Sequence, residues 1–168
     1  LDPGYIEAYI GLGVLCEMKK DIPGAISNFE KALRIDPLNI KVYYSLGNLY
    51  YRAKRIDDAA HQYELLVKLN PKDLEAYIQW SGMYIRDKRP WGAIAVLNRV
   101  LSEGIKDTSL YLALGYAYSA DSRDTDALKY YRMALDMSPD RALVRFYLGA
   151  YYDKIKKVPL AVDEFHEA

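Results

Sequence analysis

Five segments of like pattern begin 34 residues apart: YIGLGVLC at residue 9, YYSLGNLY at 43, YIQWSGMY at 77, YLALGYAY at 111 and RFYLGAYY at 145. The same step links Ala25, Ala59, Ala93, Ala127 and Ala161, and it links Phe29, Tyr63, Leu97, Tyr131 and Phe165. Pro37, Pro71 and Pro139 keep the register, with Ile105 in the vacant place. Columns that stay aligned without an insertion require one supersecondary unit used repeatedly.

Within a unit the apolar residues recur at helical spacing. Tyr43, Leu46, Gly47 and Tyr50 make one stripe of a first helix. A turn around Lys54 to Asp57 follows, and Ala59, Tyr63 and Leu66 form the stripe of a second helix, which Pro71 stops. Gly104 followed by Ile105 predicts a glycine-terminated helix where the proline is missing. Each unit is therefore a helical hairpin, and the units begin at Ile6, Ile40, Leu74, Thr108 and Ala142. Gly13, Gly47, Ser81, Gly115 and Gly149 are small, as are the five alanines, so the two helices can approach closely. A helical glycine costs about 1 kcal/mol relative to alanine, which tight packing has to offset. Tyr43 and Tyr50, beside those small residues, are expected in the core.

The spacing W-x2-L-G-x2-Y, then A-x3-F, then P, resembles the tetratricopeptide repeat family over nearly the whole chain. Units two and four match best. Cys16 replaces the second aromatic, Trp80-Ser81 replaces Leu-Gly, Arg145 takes the first aromatic position, and Leu66 and Val100 stand where alanine is usual. The resemblance implies an all-α solenoid of tandem antiparallel hairpins, a right-handed superhelix forming a single array over residues 1–168. Its units are 6–39, 40–73, 74–107, 108–141 and 142–168, the last one truncated. LDPGY looks like the tail of an earlier unit, and no polar terminal helix closes either end, so the natural protein is expected to be longer.

Lys+Arg and Asp+Glu are both 23, and the first 84 residues carry 10 basic and 11 acidic ones. Neither half is basic enough to draw nucleic acid or an acidic membrane by charge alone. No long apolar run suggests a membrane span. One cysteine excludes an intrachain disulfide and leaves the compartment undetermined.

In the family that this chain resembles, first helices line a concave groove, through a stripe displaced from the packing stripe. Here that stripe holds Ile10, Val14, Tyr44, Asn48, Tyr51, Ile78, Ile85, Leu112, Tyr116 and Phe146. An apolar band of this kind suits an extended peptide or one face of an amphipathic helix. Replacing Ile78, Leu112 and Phe146 with Glu is expected to remove partner binding and leave the helices intact. Family members that hold a chaperone's C-terminal carboxylate use a clamp of Lys, Asn and Arg. Of the matching positions only Asn48 carries such a residue, so no carboxylate-clamp partner is expected.

Lys54-Arg55, Lys88-Arg89 and Lys156-Lys157 fall at equivalent turns. Asp57, Asp58, Asp87, Asp124 and Asp126 are interleaved, several of them candidate helix N-caps, giving a solvated edge rather than a phosphate ridge. His61 and His166 lack a second ligand at metal spacing, and Cys16 reads as a buried thiol in an aromatic slot. No phosphate-cradling Gly loop, GxSxG or HExxH occurs, so neither an active site nor a cofactor is expected. The leading reading is a non-catalytic scaffold for protein–protein interaction. Self-association through uncapped ends, or recruitment of substrate for a larger enzyme, are its alternatives.

Overall fold

A computed structural model of the chain describes residues 3–138 and 142–168. Ten helices are found among them: α1 Pro3–Met18, α2 Ile22–Ile35, α3 Ile40–Arg52, α4 Ile56–Leu69, α5 Leu74–Arg86, α6 Pro90–Ser102, α7 Thr108–Ala120, α8 Asp124–Met137, α9 Ala142–Lys154 and α10 Val158–His166. Four of the five first helices start at the residue the repeat register gives. The exception is α1, which starts at Pro3 instead of Ile6, a proline's fixed φ being suited to a first helical position. Pro37 and Pro71 each follow a helix end by two residues, whereas Pro139 lies outside the described residues.

The chain forms two compact units, residues 1–76 and 77–168. In the first, α1 packs on α2, α3 on α4, and α2 on α3. In the second, α7 packs on α8 and α9 on α10, with α6 against α7, α8 against α9 and α7 against α9. The small column explains the closeness of these pairs. A methyl added at Gly13 would meet the Phe29 ring at 2.9 Å, at Gly47 the Tyr63 ring at 3.0 Å, at Gly115 the Tyr131 ring at 2.7 Å, and at Gly149 the Phe165 ring at 2.7 Å. Ser81 takes the small slot where the second-helix position holds Leu97 instead of a ring, and both are buried. Tyr43 and Tyr50 are core, as their column predicts.

One turn recurs five times. Lys20, Lys54, Lys88, Ser122 and Lys156 all have φ near +60°, the left-handed region. At the second of them Lys54 N–H donates to the Tyr51 carbonyl and Arg55 N–H to the Tyr50 carbonyl, both at 2.9 Å. This paired closure is the Schellman motif, and equivalent pairs close the other four turns. Glycine usually fills the left-handed position, because a side chain there costs ~1–2 kcal/mol. Lys88→Gly is therefore expected to raise stability by about 0.5–1 kcal/mol, less than the full relief because glycine also loosens the unfolded chain. A urea denaturation midpoint lower than that of the native chain would contradict this.

Caps differ from the sequence expectation. Asn39, Asp73 and Asp107, one period apart, accept from the Val42, Ala76 and Ser109 backbone N–H groups at 3.4, 3.2 and 2.6 Å, at the starts of three first helices. The expected caps Asp57, Asp58, Asp124 and Asp126 stand inside their helices, because the left-handed residue brings the next helix in at Arg55 and Arg123. Asp58 and Asp126 pair instead with Arg55 and Arg123, each at 2.7 Å, and Asp87 pairs with Arg89 at 2.9 Å.

Candidate functional site: the outer stripe of the first helices

In the first unit, α1 and α3 carry the stripe. Val14 is 46% exposed, Asn48 is exposed, and Ile10, Tyr44 and Tyr51 are half-buried. Side-chain contacts hold the polar members. The Tyr44 hydroxyl donates to Asp73 Oδ1 at 2.9 Å, while its ring meets Tyr63 edge-on. Asn48 Oδ1 accepts from the Tyr63 hydroxyl at 3.1 Å, so its amide N–H groups are left on the exposed side. The Tyr51 ring lies 5.8 Å from the Lys54 ammonium.

In the second unit the stripe is more aromatic. Tyr116 of α7 is 48% exposed and Phe146 of α9 is 54% exposed, and Tyr147 stands between them with ring centroids 6.1 and 6.0 Å away. Ile78 and Ile85, on α5, are half-buried. Leu112 departs from the expected band. It is 5% exposed, so a charge there would be buried without a partner, and it offers no surface to a ligand. Tyr147 and two bridges between first helices were not anticipated. Arg52 pairs with Glu17 across α1 and α3, and Lys154 donates to the Ser119 carbonyl and hydroxyl across α7 and α9. Both bridges join residues 35 apart and occupy the same place in their units, so this spacing was the available signal.

Burial governs the tyrosine acidities. The Tyr50 hydroxyl is pushed up to about 12, by burial first and then by its hydrogen bond to Glu30. Tyr44 is raised by burial and by Asp73, and Tyr131 by burial among other tyrosines. A raised folded value means that this stability is complete below the unfolded value, about 10, and is lost as pH rises through the folded one. The urea midpoint should thus stay flat from about pH 7 to 9 and fall above about 10, together with phenolate absorbance. A decline beginning well below that range would contradict the assignment.

Cys16 is half-buried rather than fully buried, with the Asn28 amide 3.8 Å from its Sγ. His61 and His166 are exposed. Among the described residues no group of three or more His, Cys, Asp or Glu side chains could hold a metal ion, and no helix is long and apolar enough to cross a membrane.

Two tetratricopeptide repeat models match the chain, over residues 17–79 and 108–141. The chain belongs to the tetratricopeptide repeat family. Members are generally non-catalytic interaction modules, and a protein-interaction scaffold is the general role the repeats support. No curated protein sequence matches. Among solved structures, a MamA protein is 23% identical with TM-score 0.71, covering 99% of this chain and 91% of its own. PilF from Pseudomonas aeruginosa is 17% identical with TM-score 0.70, over 98% and 75%. YrrB, described as a TPR protein with an unusual peptide-binding site, is 18% identical with TM-score 0.61, over 95% and 82%. At these identities the likeness shows the fold.

Proposed function

We propose that this tetratricopeptide array binds an extended peptide, or one face of an amphipathic helix, of a partner protein through the outer stripe of its first helices. Ile10, Val14, Tyr44, Asn48 and Tyr51 serve in the first unit, and Ile78, Ile85, Tyr116 and Phe146 in the second. The observation that carries this reading is the pair Tyr116 and Phe146, two large apolar side chains about half exposed on neighbouring first helices. Isolated exposed rings are ordinary, whereas rings gathered around Tyr147 make a patch with anchors for apolar side chains. The peptide-binding description of YrrB lends fold-level support. A carboxylate-clamp tail or a nucleic acid fits this face less well, since Asn48 is the one clamp residue at the matching positions and the chain's basic and acidic residues balance at 23 each.

Random peptides of about a dozen residues, displayed on phage, would be selected on the native chain. The triple variant Ile78→Glu, Tyr116→Glu, Phe146→Glu should then bind the winners at least ~10-fold more weakly, with unchanged helical circular dichroism. Equal binding by both proteins would end the reading.

A second reading, self-association, has its own observation. Phe165 is 41% exposed, yet the four residues of its column in earlier units are buried. Val158 and Val162 on the same helix are exposed too. A second copy covering this face would make the sedimentation mass rise with concentration, and a constant monomer mass would exclude it.

A further inference from the structure

The second unit has a cleft of about 680 Å³ on α8, α9 and the turn that follows α9, away from the stripe described above. Leu128, Ile155 and the buried Tyr151 form its apolar floor, and Lys129, Arg132 and Lys157 stand around it, all three exposed. Asp124 is the one carboxylate in the lining, and its backbone carbonyl accepts from the Tyr151 hydroxyl at 2.9 Å.

The same place three repeats earlier shows what is unusual here. A smaller cleft, about 290 Å³, is lined there by Ile26, Ser27, Glu30, Ala53 and Arg55, the counterparts of Leu128, Lys129, Arg132, Ile155 and Lys157. In that cleft the cation is balanced: Arg55 pairs with Asp58 at 2.7 Å, and Glu30 stands across the lining and accepts from the Tyr50 hydroxyl. In the later cleft Arg132 replaces Glu30, Lys129 replaces Ser27, and Leu160 stands in the place of Asp58. No carboxylate among the described residues pairs with Lys129, Arg132 or Lys157. The repeat has thus changed a neutralised cleft into a wider, positively charged one with an apolar floor.

We infer that this cleft is a second docking site, whose occupant is an acidic peptide segment of a partner protein carrying an apolar side chain for the Leu128–Ile155 floor. Charge complementarity selects the acidic segment, because three cations face one carboxylate. The apolar floor selects a peptide over a bare phosphate. Nucleic acid fits less well, since the Tyr151 ring is buried and offers no face on which a base could stack.

The test is fluorescence anisotropy on the full chain with a labelled peptide of sequence EELEELEE, its glutamine counterpart QQLQQLQQ, and a labelled uridine dodecamer. The acidic peptide should bind saturably below about 1 mM and be released by added salt. The glutamine peptide should bind about tenfold more weakly, as should the double variant Lys129→Ser, Arg132→Glu, which installs the residues of the first-unit cleft. Lys68→Ser, a charge removed from α4, should leave binding unchanged. Should the double variant lose its circular dichroism, Lys157→Gln alone should still weaken binding several-fold. No saturable binding, equal affinity for the glutamine peptide, insensitivity to the cleft variants, or tighter binding of the uridine dodecamer would each overturn the proposal.

Discussion

Gly115→Ser is expected to destabilise the second unit by about 2–3 kcal/mol, and Tyr131→Leu in the same chain should recover a large part of that loss. A Cβ at residue 115 would lie 2.7 Å from two atoms of the Tyr131 ring, closer than carbon atoms can pack. The ring cannot swing clear, because it is fully buried and tilted against Tyr151, with centroids 5.5 Å apart. Helix α7 would have to withdraw from α8, costing contacts along the whole hairpin. The third repeat already carries the proposed remedy: Ser81 fills the small slot and Leu97 the ring position, both buried without a ring to obstruct. A double-mutant cycle by urea denaturation measures the coupling. Additive effects of the two substitutions would show that the small column does not set the approach of these helices.

Tyr63→Ala should cost more, about 3–5 kcal/mol, the range for removing a fully buried aromatic side chain. Tyr63 is 1% exposed and lies against Gly47, so its loss opens a cavity that α3 and α4 cannot readily close. It would also remove the edge-on contact with Tyr44, at 6.4 Å, and the hydroxyl bond to Asn48. Both of those residues belong to the proposed groove, so the packing stripe and the binding stripe meet at this ring. Tyr63→Phe should cost only about 0.5–1.5 kcal/mol, because Asn48 is exposed and water can replace the lost donor. Because repeat arrays can open unit by unit, amide exchange in α3 and α4 should accelerate before the rest of the chain responds. Similar costs for the two variants would mean that the hydroxyl, rather than the ring, holds the pair together.

The period of 34 residues determined the hairpin, the register of the helices and the membership of the small and aromatic columns. A repeated unit buries the same positions each time, so five copies average out the ambiguity that a single helix pattern would leave. The proline and glycine stops were legible for the same reason, being fixed by backbone chemistry local to a few residues. Tertiary structure decided what depends on neighbours. Lysine enters the left-handed turn because two Schellman bonds hold it there, and that geometry displaces the expected caps Asp57 and Asp124 into the first turn of their helices. Leu112 lies in the outer stripe by spacing, yet it is buried, because in the second unit α7 is covered by α6, α8 and α9. The charge of the α8–α9 cleft likewise emerges only when residues of α8, α9 and the turn after α9 are brought around one apolar floor. Periodicity reports which face of a helix a residue occupies, and packing alone determines what stands opposite it.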